Sequence, residues 1–303
     1  MLFPEARQAL LAYAGETPVW SEDFDIDAAR VEARRLAAEE PREEVAAAVD
    51  VDADGVPCRL YDPSGRGADA AEAVVVHAHG GGFVLNDVEV HDAAARRLAN
   101  RTGLRVLSVD YRVPPEHRFP AAVEDVGTAA GWAARELGGV LVAHGDSAGG
   151  NLALVDALRH PGRYAAAALV YPFLDPTAAH DSYRTAADGF DPREAAWYWE
   201  QYAATPADLS DPDLAPLLSD RLGTLPPTLV VTAEHDPLRD EGEELARRLA
   251  DAGVEVTATR YLGQLHGFWR HPRVFPSAEP LMRQVAGFLR LHADRPDRID
   301  RRP

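Results

Sequence analysis

One six-residue stretch, Gly-Asp-Ser-Ala-Gly-Gly at positions 145–150, constrains the fold of this 303-residue chain more than any other. It lies between an apolar run at 140–143 and a run of helical character at 151–158. A serine in a tight turn between a strand and a helix, with a glycine two residues before and two after it, is typical of a nucleophile elbow. The small residues let strand and helix pass close together, and the Ser147 hydroxyl then stands beside the free N–H groups of the helix start. A glycine-rich helix start without chemistry is the alternative, so the rest of the chain has to supply a base, an acid and an oxyanion hole.

Apolar strands and amphipathic helices alternate along most of the chain. The patterns predict strands at 45–52, 57–62, 74–78, 105–110, 139–144, 165–171, 228–233 and 254–261, and helices at 90–101, 120–136, 148–160, 240–252 and 277–292. Continuous apolar strands between helices indicate a mostly parallel central sheet with helices on both faces. The predicted fold class is therefore α/β.

Two segments interrupt this alternation. Residues 1–44 have apolar residues at helical spacing and predict two helices, split near 15–18. Residues 175–226 contain several aromatic residues and prolines but no clear strand, and they are too many for an ordinary connection, so we expect a small helical insertion. The core then comprises 45–174 and 227–292, and the polar residues 293–303 are expected to form a frayed tail.

Composition excludes several classes of function. A net charge of −18 argues against a nucleic-acid or anionic-membrane partner, since both need a basic face. All 31 basic side chains are arginine, which excludes lysine Schiff-base chemistry. The single cysteine, Cys58, gives neither an internal disulfide nor a metal cluster. With no apolar run long enough to span a bilayer and no secretory leader, we expect a cytoplasmic protein. A serine nucleophile with a base, an acid and an oxyanion hole needs no metal or other cofactor, so we expect none.

A glycine loop follows the first buried strand. Its sequence at 79–83 is His-Gly-Gly-Gly-Phe, and successive glycines can turn backbone N–H groups into a cleft. A flexible loop is the alternative, but the position between strand and helix is where the partner of an elbow serine belongs. We therefore predict an oxyanion hole made by the N–H groups of Gly81, Gly82 and Ala148.

The base and the acid are expected in loops that follow later strands, because the carboxyl ends of parallel strands carry the active site in such sheets. His266 follows the last predicted strand and is the favoured base, with His271 as its competitor. Asp236 follows the preceding strand and is the favoured acid, with Asp240 and Glu234 as competitors. The resulting order of serine, acid and histidine is the order expected for a nucleophile-elbow enzyme.

These motifs together resemble the hormone-sensitive-lipase-like family of α/β-hydrolases, in its bacterial carboxylesterase branch. The resemblance covers about residues 45–292 and rests on the segments HGGGF at 79–83, YRVPPEHRFPAA at 111–122, GDSAGGN at 145–151, DPLRDEG at 236–242 and HGF at 266–268. Pro114 and Ala215 depart from the family pattern, in which alanine and serine are usual, and neither is a catalytic position.

The resemblance implies an α/β-hydrolase fold with a helical cap, built here from 1–44 and 175–226. It implies a catalytic triad of Ser147, Asp236 and His266. The implied activity is that of a serine carboxylesterase, which hydrolyses short- to medium-chain acyl esters through an acyl-enzyme. A deacetylase, lactonase, amidase, acyltransferase or cyclase with the same triad remains an alternative, as does a receptor that binds a small molecule without catalysis.

Substrate contacts and oligomeric state are less constrained. Phe83, Trp197 and Leu217 are the candidate pocket residues, on the strength of their position in the glycine loop and in the insertion. The expected partner is a small acyl ester. The chain is expected to be a monomer, or a homodimer formed through the last strand at 254–261, whose charged residues could equally protect that edge.

Overall fold

The computed structural model describes residues 1–65 and 73–294. The strands are β1 (Ala47–Ala53), β2 (Val56–Asp62), β3 (Val74–Ala78), β4 (Arg105–Val109), β5 (Leu141–Asp146), β6 (Tyr164–Val170), β7 (Thr228–His235) and β8 (Val256–Leu265). The helices are α1 (Pro4–Tyr13), α2 (Ile26–Ala38), α3 (Asp92–Thr102), α4 (Ala121–Glu136), α5 (Ala148–Arg159), α6 (Ser182–Thr185), α7 (Pro192–Tyr202), α8 (Arg239–Asp251) and α9 (Ala278–Ala293). The predicted tail falls mostly outside the described residues.

The eight strands form one sheet in the order β1-β2-β4-β3-β5-β6-β7-β8. β2 pairs antiparallel with β1 and β4, and every other pair is parallel. Strands β3, β4 and β5 are buried along their whole length, which explains their continuous apolar sequences. The predicted fold, a mostly parallel α/β-hydrolase sheet flanked by helices, is confirmed.

Two apolar cores lie on the two faces of the sheet. One includes Leu152 of α5 and Leu245 of α8, together with aromatic side chains of α7. The other includes Leu98 of α3 and Leu281 of α9. The sheet is therefore covered on both faces, and its carboxyl edge is left for loops.

The last strand is longer than its sequence pattern predicts. β8 pairs with β7 as far as Leu265, which lies opposite His235, past an irregularity in the register near Ala233. The strand therefore delivers His266 directly to the sheet edge, next to the residues that follow β7. β8 is the last strand of the sheet, and pairing of this edge with a second copy stays a prediction.

The insertion is helical, as its composition predicts. Helix α7 begins where the Asp191 carboxylate accepts the N–H of Arg193 and Pro192 occupies the first turn. Its apolar face buries Tyr198 and Tyr202 against the core. Among the described helices, none combines the length and the apolar character that crossing a membrane requires.

Candidate active site

Ser147 occupies the sharp turn between β5 and α5. Its backbone has φ 54° and ψ −123°, a conformation that side-chain-bearing residues rarely adopt, and its N–H donates to Val170 O at 2.9 Å. The flanking glycines are needed because the chain is tightly packed there. A Cβ on Gly149 would lie 2.1 Å from Ala78 O, and a Cβ on Gly145 would lie 2.1 Å from Gly149 O. These close backbone contacts therefore require glycine at positions 145 and 149 of the motif.

A continuous hydrogen-bonded row joins the three predicted catalytic side chains. His266 Nε2 lies 3.0 Å from Ser147 Oγ, and His266 Nδ1 lies 2.8 Å from Asp236 Oδ2. Asp236 is fully buried, and its other oxygen accepts the N–H of Leu238 at 2.8 Å. With the carboxylate ionised, Nδ1 donates to Asp236, and Nε2 keeps the lone pair that can accept the serine proton.

The protonation of His266 is set by opposing effects. Burial disfavours the charged ring, but the charge and the hydrogen bond of Asp236 outweigh it and raise the pKa of His266 above its usual value. The charges of Asp146 and Glu194 act in the same direction as Asp236. The rings of Tyr171 and Phe190 flank the imidazole, with centroids 4.5 and 4.9 Å away. The site therefore stabilises an imidazolium that forms during a reaction.

The competing acids and base have other partners. His271 Nδ1 lies 2.8 Å from a Glu40 oxygen. Glu234 accepts the N–H of Gly263, and Asp240 accepts the N–H of Ser182. Of the candidates that the sequence left open, the structure brings only Asp236 and His266 to Ser147.

The glycine loop presents N–H groups next to the serine. Gly81 and Gly82 have φ of 131° and 60°, which favour glycine. The neighbouring N–H of Gly80 donates to Asp146 Oδ1 at 3.0 Å, which ties the loop to the elbow. In contrast, the N–H groups of Gly81, Gly82 and Ala148 donate to no acceptor within residues 1–65 and 73–294. They are available to an oxygen atom of a ligand.

His79 holds this loop in place without facing the nucleophile. Its Nδ1 lies 3.0 Å from Gly80 O, and its ring stacks on Tyr111 at 4.2 Å. The Tyr111 hydroxyl donates to His79 O at 2.7 Å. Sequence reasoning did not single out Tyr111, which its place in the motif at 111–122 could have flagged.

A cavity of about 180 Å³ contains Ser147 and the glycine loop. Tyr171, Phe173, Phe190 and Tyr198 supply its aromatic walls. A larger cavity of about 600 Å³ adjoins it, lined by residues of the segment that follows α1 and of the start of α7. The two cavities share wall residues, which are Gly189, Phe190, Glu194, His266, Gly267 and Arg270.

The three candidate pocket residues lie elsewhere. Phe83 is fully buried and stacks on Tyr202 with ring centroids 3.8 Å apart. Trp197 packs edge-on against Phe24, and Leu217 is buried in a short 3-10 helix. None of the three lines either of these cavities, in the part of the chain that is described. Their contact with a substrate stays a prediction.

The residues that do line the catalytic cavity include two that sequence reasoning did not assign to it, Glu194 and Arg270. Glu194 and Tyr198 are four residues apart on α7 and therefore share one face of that helix. The sequence signal that could have predicted this is the four-residue spacing of Glu194 and Tyr198 in a helix that begins at Pro192.

A cluster of buried histidines lies behind the elbow. His77 and His144 face each other across β3 and β5 with their Nδ1 atoms 2.9 Å apart, and His91 is equally buried. Burial lowers the pKa of His77 and His91 well below the usual value and that of His144 to about 3. One donor atom each from His77, His91 and Asp146 lie within 4.8 Å of one another. Neutral imidazoles and a carboxylate are metal ligands, so this is where the described residues could hold an ion.

This chain is similar to several known proteins. Residues 75–270 match the model of a family described as having the alpha/beta hydrolase fold. The chain is similar to the carboxylic ester hydrolase LipN of Mycobacterium tuberculosis, with 39% identity over 259 residues that cover 79% of this chain and 68% of the relative. It is 32% identical to the ethyl acetate hydrolase of Pseudomonas putida over 78% of this chain and 79% of that enzyme. A solved structure of a hyperthermophilic esterase from the archaeon Pyrobaculum calidifontis is 36% identical and superposes with a TM-score of 0.86, over 96% of this chain and 99% of that one.

Proposed function

Because this chain belongs to the α/β-hydrolase family, in its hormone-sensitive-lipase-like branch, we propose that it is a serine carboxylesterase that works through Ser147, His266 and Asp236. The observation that carries the proposal is the hydrogen-bonded row of these three side chains beside unoccupied N–H donors. Each part of an acyl-transfer site is then present: a nucleophile, a base, an orienting acid and an oxyanion hole.

In the first half-reaction, Ser147 Oγ attacks the ester carbonyl while His266 Nε2 takes the serine proton. The carbonyl oxygen becomes negative and is stabilised by the N–H groups of Gly81, Gly82 and Ala148. His266 then gives its proton to the alcohol oxygen as the carbon–oxygen bond breaks. The alcohol leaves, and the acyl group remains on the serine.

In the second half-reaction, His266 removes a proton from water, and the hydroxide attacks the acyl-enzyme carbonyl. The same N–H groups hold the second oxyanion. His266 returns the proton to Ser147 Oγ, and the carboxylic acid is released. Asp236 stays ionised throughout and holds Nδ1–H, so that the ring keeps the tautomer that both steps need.

The size of the catalytic cavity supports a preference for short- to medium-chain acyl groups. Its volume of about 180 Å³ is below the roughly 300–1,000 Å³ typical of pockets for drug-sized ligands. The ring of Tyr198 lies against the glycine loop, since a Cβ on Gly82 would come within 2.2 Å of it. We further propose that 1–44 and 175–226 form a cap, with α7 as the part that closes the acyl side.

Hydrolysis of 4-nitrophenyl acetate and butyrate by Ser147→Ala tests the proposal. Loss of turnover by at least about 10³-fold, with an unchanged circular-dichroism spectrum, is expected when the nucleophile is removed. Ser210→Ala, which changes an exposed serine, is the matched control and should keep full activity. Retained turnover in Ser147→Ala would refute the assignment, and a wild-type protein inert to every simple ester would favour the receptor or a dedicated acyl-transfer reaction.

A further inference from the structure

Arg270 brings a positive charge to the wall of the catalytic cavity. It ends the 3-10 turn Phe268–Arg270, which begins two residues after the catalytic histidine. Its side chain is half-buried and lines both the cavity that contains Ser147 and the larger cavity next to it. Within the described residues, it is the only arginine that lines either of these two cavities.

The guanidinium of Arg270 has no carboxylate partner. No acidic oxygen of the described residues lies within 4 Å of it, and its polar side-chain contact is Nη2 to His271 Nε2 at 3.4 Å. Three nearby carboxylates are otherwise engaged: Glu40 with His271, Asp191 with Arg193, and Asp146 with the N–H of Gly80. A half-buried guanidinium with unfilled donors has lost hydration without a direct ion pair, so a carboxylate from a ligand would be stabilised there.

Four acidic residues of the described part of the chain line the two cavities with Arg270: Asp146 in the smaller one, Glu16 and Asp191 in the larger one, and Glu194 in both. Burial raises the pKa of Glu194 to about 7, so much of it is uncharged at neutral pH. The groups that act on Glu194 are His266, Tyr198, Asp191 and Glu16. Below neutral pH the wall that the two cavities share therefore carries the Arg270 charge with its own acid, Glu194, largely protonated, although the protein as a whole is strongly negative.

We propose that Arg270 is a subsite for a free carboxylate carried by the ester substrate, so that the preferred substrates are esters with a second, ionised acid group. This rests on the proposed esterase function. We assign the carboxylate to the alcohol side of the ester, because the larger cavity that Arg270 lines has room for it once a short acyl group occupies the smaller one. The guanidinium would bind it in the two-pronged geometry that suits carboxylates.

Matched ester pairs test this inference. On the alcohol side, kcat/KM is compared for 4-acetoxybenzoate and 4-acetoxybenzamide. On the acyl side, it is compared for the mono-4-nitrophenyl ester of glutaric acid and for 4-nitrophenyl pentanoate. We expect the wild type to prefer the charged member of the alcohol-side pair by about 10- to 100-fold, as hydrogen bonds between charged groups predict.

Arg270→Gln should remove this preference, and Arg270→Lys should retain part of it. Arg273→Gln, which changes an exposed neighbour, is the control and should leave both ratios unchanged. A preference for the charged acyl-side ester that depends on Arg270 would support the carboxylate subsite but place it on the acyl side of the ester. Equal rates within both pairs, or a preference that survives Arg270→Gln, would overturn the inference. Hydrolysis of the neutral esters reports the proposed function separately, so the two can fail independently.

Discussion

Mild acid should destabilise the core of this protein, because three buried core histidines are held neutral. His77, His91 and His144 are fully buried, and burial lowers the pKa of each below the usual value. In the unfolded chain each would bind a proton near pH 6.5. Below that pH these three side chains bind more protons in the unfolded state than in the native state, so they lower the free energy of unfolding as the pH falls.

The size of the effect follows from this difference in protonation. At pH 5.5 an unfolded histidine with a pKa of about 6.5 is mostly charged, which costs the native state about 1.4 kcal/mol for each ring that stays neutral. Three rings cost about 4 kcal/mol, a large part of the roughly 5–15 kcal/mol that stabilises a typical domain. His79, whose pKa burial also lowers, adds to the loss. His266, Glu194 and Glu241, whose pKa values are raised in the folded protein, bind protons in the native state and offset part of it.

Urea unfolding followed by tryptophan fluorescence at pH 7.5, 6.5 and 5.5, at constant ionic strength, measures the loss. His144→Gln should reduce the loss between pH 7.5 and 5.5 by about 1.4 kcal/mol, because one neutral ring is removed. His117→Gln changes an exposed histidine and should leave the loss as it is. A loss between pH 7.5 and 5.5 that is the same in His144→Gln as in the wild type would refute the reasoning about the core histidines.

Two further predictions concern the catalytic cavity. Tyr198→Ala should lengthen the acyl site, because Tyr198 forms part of the wall of the catalytic cavity. The ratio of kcat/KM for 4-nitrophenyl hexanoate to that for 4-nitrophenyl butyrate should then rise by about tenfold, since each added CH₂ group contributes about 0.8 kcal/mol when it is buried. An unchanged ratio would place the acyl chain elsewhere. Activity should fall as the pH drops through the raised pKa of His266, because the base must be neutral. Glu194→Gln should move this acid limb of the kcat/KM profile to lower pH, since the Glu194 charge helps to raise the pKa of His266. An acid limb that does not move would exclude this coupling between Glu194 and His266.

Much of the site could be predicted because its candidate catalytic residues come directly after the ends of strands. The apolar strands mark the sheet, parallel strands end at one edge, and residues just after those ends meet there. Ser147 after β5, Asp236 after β7 and His266 after β8 follow this rule. The elbow added a second constraint, since the close contact of Gly149 with Ala78 tolerates no side chain.

The remaining features depend on distances that a sequence pattern does not contain. The choice of Asp236 over Asp240 is made by backbone turns after β7, which aim one carboxylate at His266 and the other at Ser182. The cavity walls come from α7 and from the turn after β8, about 75 residues apart along the chain. His77 and His144 meet only through the register of β3 on β5. The pattern of residues along one strand does not specify its register against a neighbouring strand, because that register depends on how the strands pack in the folded protein.

Mass spectrometry of the protein after reaction with diethyl 4-nitrophenyl phosphate tests the central claim most directly. This reagent forms a stable phosphoryl ester with an activated serine, so it reports nucleophile, base and oxyanion hole together. We predict one diethylphosphoryl group for each chain, mapped by peptide analysis to Ser147, absent in Ser147→Ala and formed far more slowly in His266→Ala. Inactivation without a label on Ser147, or equal labelling of the His266→Ala variant, would contradict the account.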